Sequence, residues 1–486
     1  MRAALIICWG IVGISLRAQP ALQEALLLPD SVTTFTIGNL YGAMWQYHPV
    51  IKQAALLSEG AQQDIRFAKG SFDPKIEVQG NLKEYDTKEY YNKWYGAFTV
   101  PTWFPVDPKV GIERNTGTYL STENLLPAED YNRQLFAGLS LPLGRGLLTD
   151  ERRATLKQAQ LGLALAEAEK IKMINKVLLE AAKDYWQWYF AYYNYQLNAR
   201  NAQVAEEIFK RVRLNAKMGE ASALDTLQAD ITRQQRMVER QEAYLDLINS
   251  SVKLSNHLWD SLGNPLQVTA RLAPQPLSNA ELLSDALLQQ LLQLASENHP
   301  DLQKITVKLD QLEIERKLAV EFLKPRLNLN YNFLNQPLRP TGELQSFSFL
   351  TNYKFGLDFY MPLLLRKERA KVAQTRLKIL NTTYERTQTQ REILNQVQTT
   401  YNQIVNTHTL LQQQNAMTSN YQRLLQGELL NLENGESDLF KINVQQEKVI
   451  LAQSKLLKLR AEYEKQKALL WWAAGLINSE FGNSNR

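Results

Sequence analysis

Apolar positions recur along this chain at two different spacings, and the switches between them outline its architecture. Over long stretches the spacing is seven. Leu224, Ile231, Val238, Leu245, Val252 and Trp259 follow one another at that interval, as do Ile442, Val449, Leu456, Tyr463 and Leu470. Ile171, Ile174, Leu178, Ala181, Tyr185, Trp188, Tyr192 and Tyr195 fill consecutive a and d positions of the same repeat. A sustained 3.5-residue period coils a helix around a partner. Proline-free helices are therefore expected over residues 150–218, 221–262, 363–434 and 437–474. The longest, about 68 residues at ~1.5 Å each, would reach ~100 Å. Globular core helices are far shorter, so these belong to a coiled coil or a helical barrel.

Between the helices the period falls to two. Leu327-Asn328-Leu329-Asn330-Tyr331-Asn332-Phe333 alternates without a fault, and Tyr353, Phe355, Leu357, Phe359 and Met361 alternate with Lys354, Gly356, Asp358 and Tyr360. Ile76, Val78 and Leu82, and then Leu135, Ala137, Leu139 and Leu141, repeat the style. Strands are expected at about 74–85, 133–142, 326–334 and 352–362. Each has roughly the 9–11 residues that cross a bilayer at a tilt, although a half-buried soluble sheet would alternate in the same way. Four strands cannot close a barrel alone, so a membrane reading requires several chains. Residues 85–127 interrupt the first strand pair with an aromatic cluster that includes Tyr85, Tyr90, Tyr91, Trp94, Tyr95, Phe98, Trp103 and Phe104. It suits an interfacial girdle, a folded external loop, or a small sheet extension packed on itself.

The punctuation occurs twice. His48-Pro49 is echoed by His299-Pro300, Leu141-Pro142 by Met361-Pro362, and Gly219-Glu220 by Gly435-Glu436. A tandem duplication accounts for this order, with a first repeat over 19–262, a linker over 263–278 and a second repeat over 279–478. Residues 479–486 form a polar tail. Met1–Ala18 reads as a secretory signal, with Arg2 ahead of an apolar run and Leu16-Arg17-Ala18 at the cleavage site.

Composition narrows the function. The 486 residues are 44% hydrophobic and 22% charged, which excludes a polytopic helical membrane protein and a disordered chain. After the signal no apolar run is long enough for a transmembrane helix, a test that β-strands escape. The net charge of +5 includes Arg2 and Arg17 of the signal, and so small an excess gives no case for nucleic acid. The single cysteine, Cys8, also lies in the signal, so the mature chain offers no thiol or cysteine-zinc chemistry. The four histidines are isolated, and no nucleotide-binding loop or nucleophile elbow occurs. No enzyme, metal or cofactor is indicated.

The duplicated order resembles the TolC family of outer-membrane efflux channels over nearly the whole mature chain. The His-Pro pairs, the strand-ending prolines, the run Arg213–Asp225 and Trp471-Trp472-Ala473-Ala474-Gly475 carry the resemblance. It implies a mainly α fold with a small β part, in which a homotrimer combines four strands per chain into a twelve-stranded barrel set in outer-membrane lipid. A coiled-coil helical tunnel would extend into the periplasm. It also implies a passive export duct, serving efflux or type I secretion, that docks to a periplasmic adaptor and an inner-membrane transporter. The docking tip would comprise Arg213, Gly219, Glu220, Ala221 and Leu224, with Gly435, Glu436, Ser437 and Leu439. Asp225 and Asp438 are candidate gate carboxylates. Each could instead stabilise a helix N-terminus, and Asp225 could pair with Arg213. The competing class is a secreted coiled-coil structural or tethering protein without a channel.

Overall fold

The computed structural model describes residues 33–120, 133–219, 221–277, 280–334, 351–434 and 436–477. The expected signal and polar tail lie outside the described residues. In chain order the elements are β1 (Thr33–Phe35), α1 (Ile37–Tyr47), α2 (Pro49–Lys69), β2 (Lys75–Tyr85), β3 (Lys88–Thr99), β4 (Asp107–Thr116), β5 (Arg133–Pro142), α3 (Glu151–Lys217), α4 (Ala223–Ser255), β6 (Leu272–Pro274), α5 (Asp285–Asn298), α6 (Pro300–Glu321), β7 (Arg326–Leu334), β8 (Tyr353–Tyr360), α7 (Arg366–Glu433) and α8 (Leu439–Ala473). They group into two compact units. One contains Ala181–Leu282, Asn406–Lys465 and the residues up to Tyr47; the other contains His48–Glu180, Leu283–Val405 and the residues from Gln466 onward.

The second unit holds a continuous antiparallel sheet in the order β2-β3-β4-β5-β7-β8. The mainly α class with a small β part is as expected, but the sheet has six strands and not four. The two additional strands, β3 and β4, come from the aromatic insertion, so a sum of four strands per chain no longer holds. Asp86 and Thr87 join β2 to β3, both with positive φ (52° and 57°). Such two-residue turns match the twist of a hairpin. Alternation in β3 is hard to see because tyrosines fall on both parities, at Tyr90, Tyr91 and Tyr95.

His48 and His299 act as helix punctuation, with near-identical geometry. Each is an N-cap in extended conformation, followed by proline at the first helical position. The Nδ1 of His48 accepts a hydrogen bond from the Val50 amide, and that of His299 from the Asp301 amide, both at 3.2 Å. An acceptor at this place satisfies one of the four amides that a helix start leaves unpaired.

In the first unit, Tyr185, Trp188, Tyr192 and Tyr195 of α3 are buried at their heptad positions. The Tyr185 hydroxyl donates to the Phe35 carbonyl at 2.8 Å and that of Tyr193 to the Pro274 carbonyl at 2.9 Å. Those carbonyls lie on β1 and β6, which pair in parallel. The segment expected as a linker is thus non-helical, and it is packed onto α3. Side-chain contacts then run from helix to helix. Glu206 of α3 meets Arg233 of α4, Asn194 of α3 meets Ser454 of α8, and Gln414 of α7 donates to Ala452 of α8.

The heptads divide into two kinds. Ile442, Val449 and Tyr463 of α8 are buried, as a seam within one chain requires. On α4 the expected seam faces outward: Leu224, Ile231, Val238, Leu245 and Val252 are all exposed, Leu224 at 76%. The buried face of α4 combines Ala229, Ala243 and Ser250 with Arg236, Leu247 and Leu254. The three small residues let α4 lie close to its neighbours where they fall. The helix also stops at Ser255, seven residues before the expected end. The Ser255 hydroxyl accepts from the Val268 amide at 2.9 Å, and Asp260 collects the Leu262 and Asn264 amides in a tight turn. Trp259, the last member of the series, therefore lies beyond the helix in a bridge to Pro265.

The His299 cap makes stability pH-dependent. Burial pushes the imidazole pKa below its usual value, against a smaller opposing effect of Asp301. The unfolded chain takes up a proton near pH ~6.5 where the folded chain resists it, so stability is full above that pH and is lost as pH falls. The thermal midpoint should drop between pH 7 and pH 5. His299→Asn, which keeps a capping acceptor without a titrating ring, should flatten that drop in circular-dichroism melts; an unchanged slope would assign the acid sensitivity elsewhere.

Candidate functional site

Two features could carry function: the sheet wall and the helix tips. Residues paired across a sheet lie on one face, and the next row lies on the other. One row reads Ile76, Phe98, Val110, Ala137, Phe333 and Tyr353, one residue from each strand. The adjacent row reads Lys75, Thr99, Lys109, Gly138, Asn332 and Lys354. The next row on the second face is mixed, with Glu77 beside Ala97, Gly111, Phe136 and Leu334. Val78, Ile112, Leu135, Leu329 and Leu357 fall on the first face; Glu77, Glu113, Gln134, Asn330 and Asp358 fall on the second. The first face is apolar over all six strands; the second carries polar residues on every strand, around a buried patch where Tyr95 stacks on Phe136. The apolar face is bare: Ile76, Val78, Phe98, Val110, Tyr353, Phe355 and Leu357 are all exposed. A soluble sheet buries such a face, whereas a membrane barrel presents it to hydrocarbon.

The first tip is built by local backbone chemistry. Gly219 ends α3 with φ +81°, a conformation that glycine adopts cheaply and other residues do not. No atom lies near where its Cβ would be, so the constraint there is conformational and not steric. Ser222 then caps α4. Its hydroxyl accepts from the Asp225 amide at 3.1 Å, and the Asp225 carboxylate accepts from the Ser222 amide at 3.0 Å, which makes a reciprocal capping box. Hydrogen bonds from the Ser222 side chain and then its backbone hold the Asp225 carboxyl below its usual pKa. Ser222, and not Arg213, is its partner. Arg213, exposed, lies six residues before the turn, and Ala221 is half-buried within it. Met218, Leu214, Leu224 and Leu227 leave an exposed apolar cluster around the turn.

At the second tip, Asp438 caps α8 by accepting from the Lys441 amide at 2.9 Å. The Ser437 hydroxyl donates to Glu428. Leu439 is half-buried, while Glu436 and Phe440 are exposed. Both candidate gate carboxylates are therefore engaged in capping. Glu220 and Gly435 lie outside the described residues. The sequence left a sheet extension over 85–127 as one of three alternatives and did not place β3 and β4, for which Trp94, Gly96 and Phe98, then Val110 and Ile112, were the available signal.

Comparison with known proteins places this geometry. Residues 291–476 match the family model described as Outer membrane efflux protein. No curated protein matches the chain in sequence. The Campylobacter jejuni CmeC outer membrane channel is similar in structure, with a TM-score of 0.63 at 14% identity, over 100% of this chain and 97% of that one. The outer membrane protein VceC of Vibrio cholerae is similar at 0.62 and 14%, over 90% and 96% of the two chains. The MtrE outer membrane channel of Neisseria gonorrhoeae, in its open state, is similar at 0.61 and 13%, over 91% and 89%. At such identity the likeness establishes the fold. The expected resemblance to the TolC family holds in fold along the whole chain and in sequence over its second half.

Gly219→Ala should cost about 1–2 kcal/mol at the turn, the usual penalty for a side chain in this conformation. Ser222→Ala should cost about 1 kcal/mol at the start of α4. Hydrogen exchange should read both as faster opening around residues 214–226, with protection of the buried α3 aromatics unchanged. The Asp225 half of the box needs an ionised carboxylate. Because its pKa is lowered, this contribution is present above the ordinary carboxylate range and is lost only as pH falls through the lowered value.

Proposed function

We propose that this chain, whose second half belongs by sequence to the outer membrane efflux protein family, is one protomer of an outer-membrane export duct. The observation that carries the reading is the two-faced sheet, apolar and bare on one side, with polar residues from every strand on the other. The apolar face meets outer-membrane lipid and the polar face lines water. A secreted tether has no use for a naked apolar sheet, which would aggregate in water. The duct performs no chemistry and needs no cofactor.

Closure requires further copies, and the TolC-like resemblance supports three. Two independent features support assembly. The sheet ends at β2 and β8, and lipid offers nothing to satisfy their outer edges. In the helical unit, α4 presents its exposed heptad, and α7 presents Leu410, Met417 and Leu424, also exposed and also seven apart. These helices stand at the two ends of the contact series α4–α3–α8–α7. One seam of each protomer thus covers the other seam of the next.

The tips dock the periplasmic adaptor, which links the duct to an inner-membrane transporter that supplies the energy. The adaptor would contact Arg213, Gly219, Glu220, Ala221 and Leu224 at one turn and Gly435, Glu436, Ser437 and Leu439 at the other. The exposed cluster of Leu214, Met218, Leu224 and Leu227 supports this role. Asp225 and Asp438 bring carboxylates to the same end, where copies from three chains would attract cations.

Two measurements test the reading. Ile231→Lys with Val238→Lys puts charges into the proposed seam while leaving the buried face of α4 intact. Burying each original side chain stabilises by roughly 1.5–3 kcal/mol, so the variant should run as a monomer with native helicity, and a stable trimer would remove the seam. In planar bilayers, Asp225→Asn with Asp438→Asn should lower cation preference by several-fold; unchanged selectivity would falsify the gate and leave the duct standing.

A further inference from the structure

We infer that every protomer contributes six strands to the transmembrane wall, so that three copies close an eighteen-stranded barrel with a wide, hydrated bore. The inference rests on the duct reading and goes beyond it, because the family pattern implies four strands per chain. The β3–β4 hairpin could in principle stand clear of the membrane as an extension of the sheet. Its pairing and its chemistry place it within the wall.

First, the hairpin lies at the same level as its neighbours. Lys75 at the start of β2 pairs with Thr99 at the end of β3, and Thr99 pairs with Lys109 near the start of β4. Lys109 in turn pairs with Gly138 of β5. The hairpin is inserted between β2 and β5, and nothing pairs those two strands directly. Removing β3 and β4 from the wall would open it. Second, β3 and β4 have 12 and 10 residues, alongside 11 in β2 and 10 in β5. All are long enough to span at a tilt.

Third, both ends of the hairpin carry membrane-interface chemistry. At the turn between β3 and β4, Trp103 and Phe104 are exposed. That turn is tied down: the Thr102 amide donates to Asp107 at 3.1 Å, and Asp107 pairs with Arg152 in the first turn of α3 at 3.3 Å. At the opposite end Tyr90 packs on Tyr85 and Tyr119. Aromatic residues at both ends of an apolar band are what a spanning strand needs. Fourth, Phe98, Val110 and Ile112 carry the apolar face across the hairpin without a break, while Lys93, Lys109 and Glu113 carry the polar face.

The added strands change the bore. At a strand spacing of ~4.8 Å and a tilt of ~40°, each strand takes ~6.3 Å of circumference. Eighteen strands give a ring ~36 Å across and twelve give ~24 Å; side chains take ~5 Å from each wall, leaving lumens of ~26 Å and ~14 Å. Four helices adjoin the sheet in each chain, namely α2, α3, α6 and α7. Twelve such helices at 8–10 Å spacing make a ring of roughly 100–120 Å. Eighteen strands come to ~113 Å and match it, whereas twelve reach only ~75 Å. The outer-membrane section therefore imposes no constriction of its own, and the cargo class it suits is bulky and hydrated, a polypeptide or a glycan as readily as a small solute.

The test uses the full-length channel in lipid nanodiscs, with nitroxide labels on Val110→Cys, Lys109→Cys and Leu357→Cys. The label at position 110 should collide with oxygen dissolved in lipid, as the label at 357 does. The label at 109 should meet an aqueous nickel chelate. If position 110 meets the nickel chelate while 357 stays in lipid, the hairpin lies outside the wall; this inference fails and the duct stands. If position 357 is also aqueous, the duct reading itself fails. Electron cryomicroscopy of the unlabelled trimer gives the count directly: eighteen strands in cross-section supports the inference and twelve overturns it.

Discussion

A backbone amide or carbonyl in hydrocarbon has no water to fall back on, and each one left unpaired costs several kcal/mol. Most of this chain's architecture follows from that constraint. A sheet of six strands satisfies its interior groups by antiparallel pairing, yet its two outer edges each carry a row of donors and acceptors. No side chain on β2 or β8 can cap a whole edge. Only another strand can, and this is why the duct reading calls for further copies.

In the proposed assembly each helix of the first unit has a neighbour on either side and needs two seams. Two faces are what α4 has, one buried with Ala229, Ala243, Leu247, Ser250 and Leu254 and one exposed with large apolar residues. The buried side packs within the chain, where the geometry is fixed by folding. On the assembly proposed above, the exposed side is the one left for another chain, where association must overcome lost translational and rotational freedom and needs more apolar area. On α8, which lies between α3 and α7 in the contact series, the corresponding large residues are buried within the chain.

Periodicity made the four long helices and four of the strands legible, because each has a strong repeat and a proline or glycine at its border. Three things stayed hidden. The outward direction of Leu224, Ile231, Val238, Leu245 and Val252 was unreadable, since a heptad reports that a partner exists and not whether it lies in the same chain. The early end of α4 depends on Asp260 and on the Ser255–Val268 hydrogen bond, contacts that do not disturb the apolar period. The strand β3 was masked by tyrosines that suit either face of a membrane strand, being apolar in body and polar at the tip, and β4 offered only Val110 and Ile112 as alternating large apolar positions. At the candidate site, Gly219 was readable as a left-handed turn. The capping role of Asp225 was less so, because it depends on α4 starting at Ala223 and not at Ala221.

The tip carboxylates show how one group can meet two demands. A helix start leaves amides exposed and carries a partial positive charge, so an acidic residue there stabilises the fold before any transport function is considered. Asp225 and Asp438 satisfy that need by different routes, one as the third residue of a capping box and the other as the N-cap itself. The difference matters for what each can offer a passing ion. The Asp225 carboxylate is held by two bonds from Ser222, and its negative charge is maintained well into acid. Capping therefore does not compete with the proposed gate. At Asp225 it fixes the position of the charge and favours its ionised form, the two properties that a ring of carboxylates would require to act on cations.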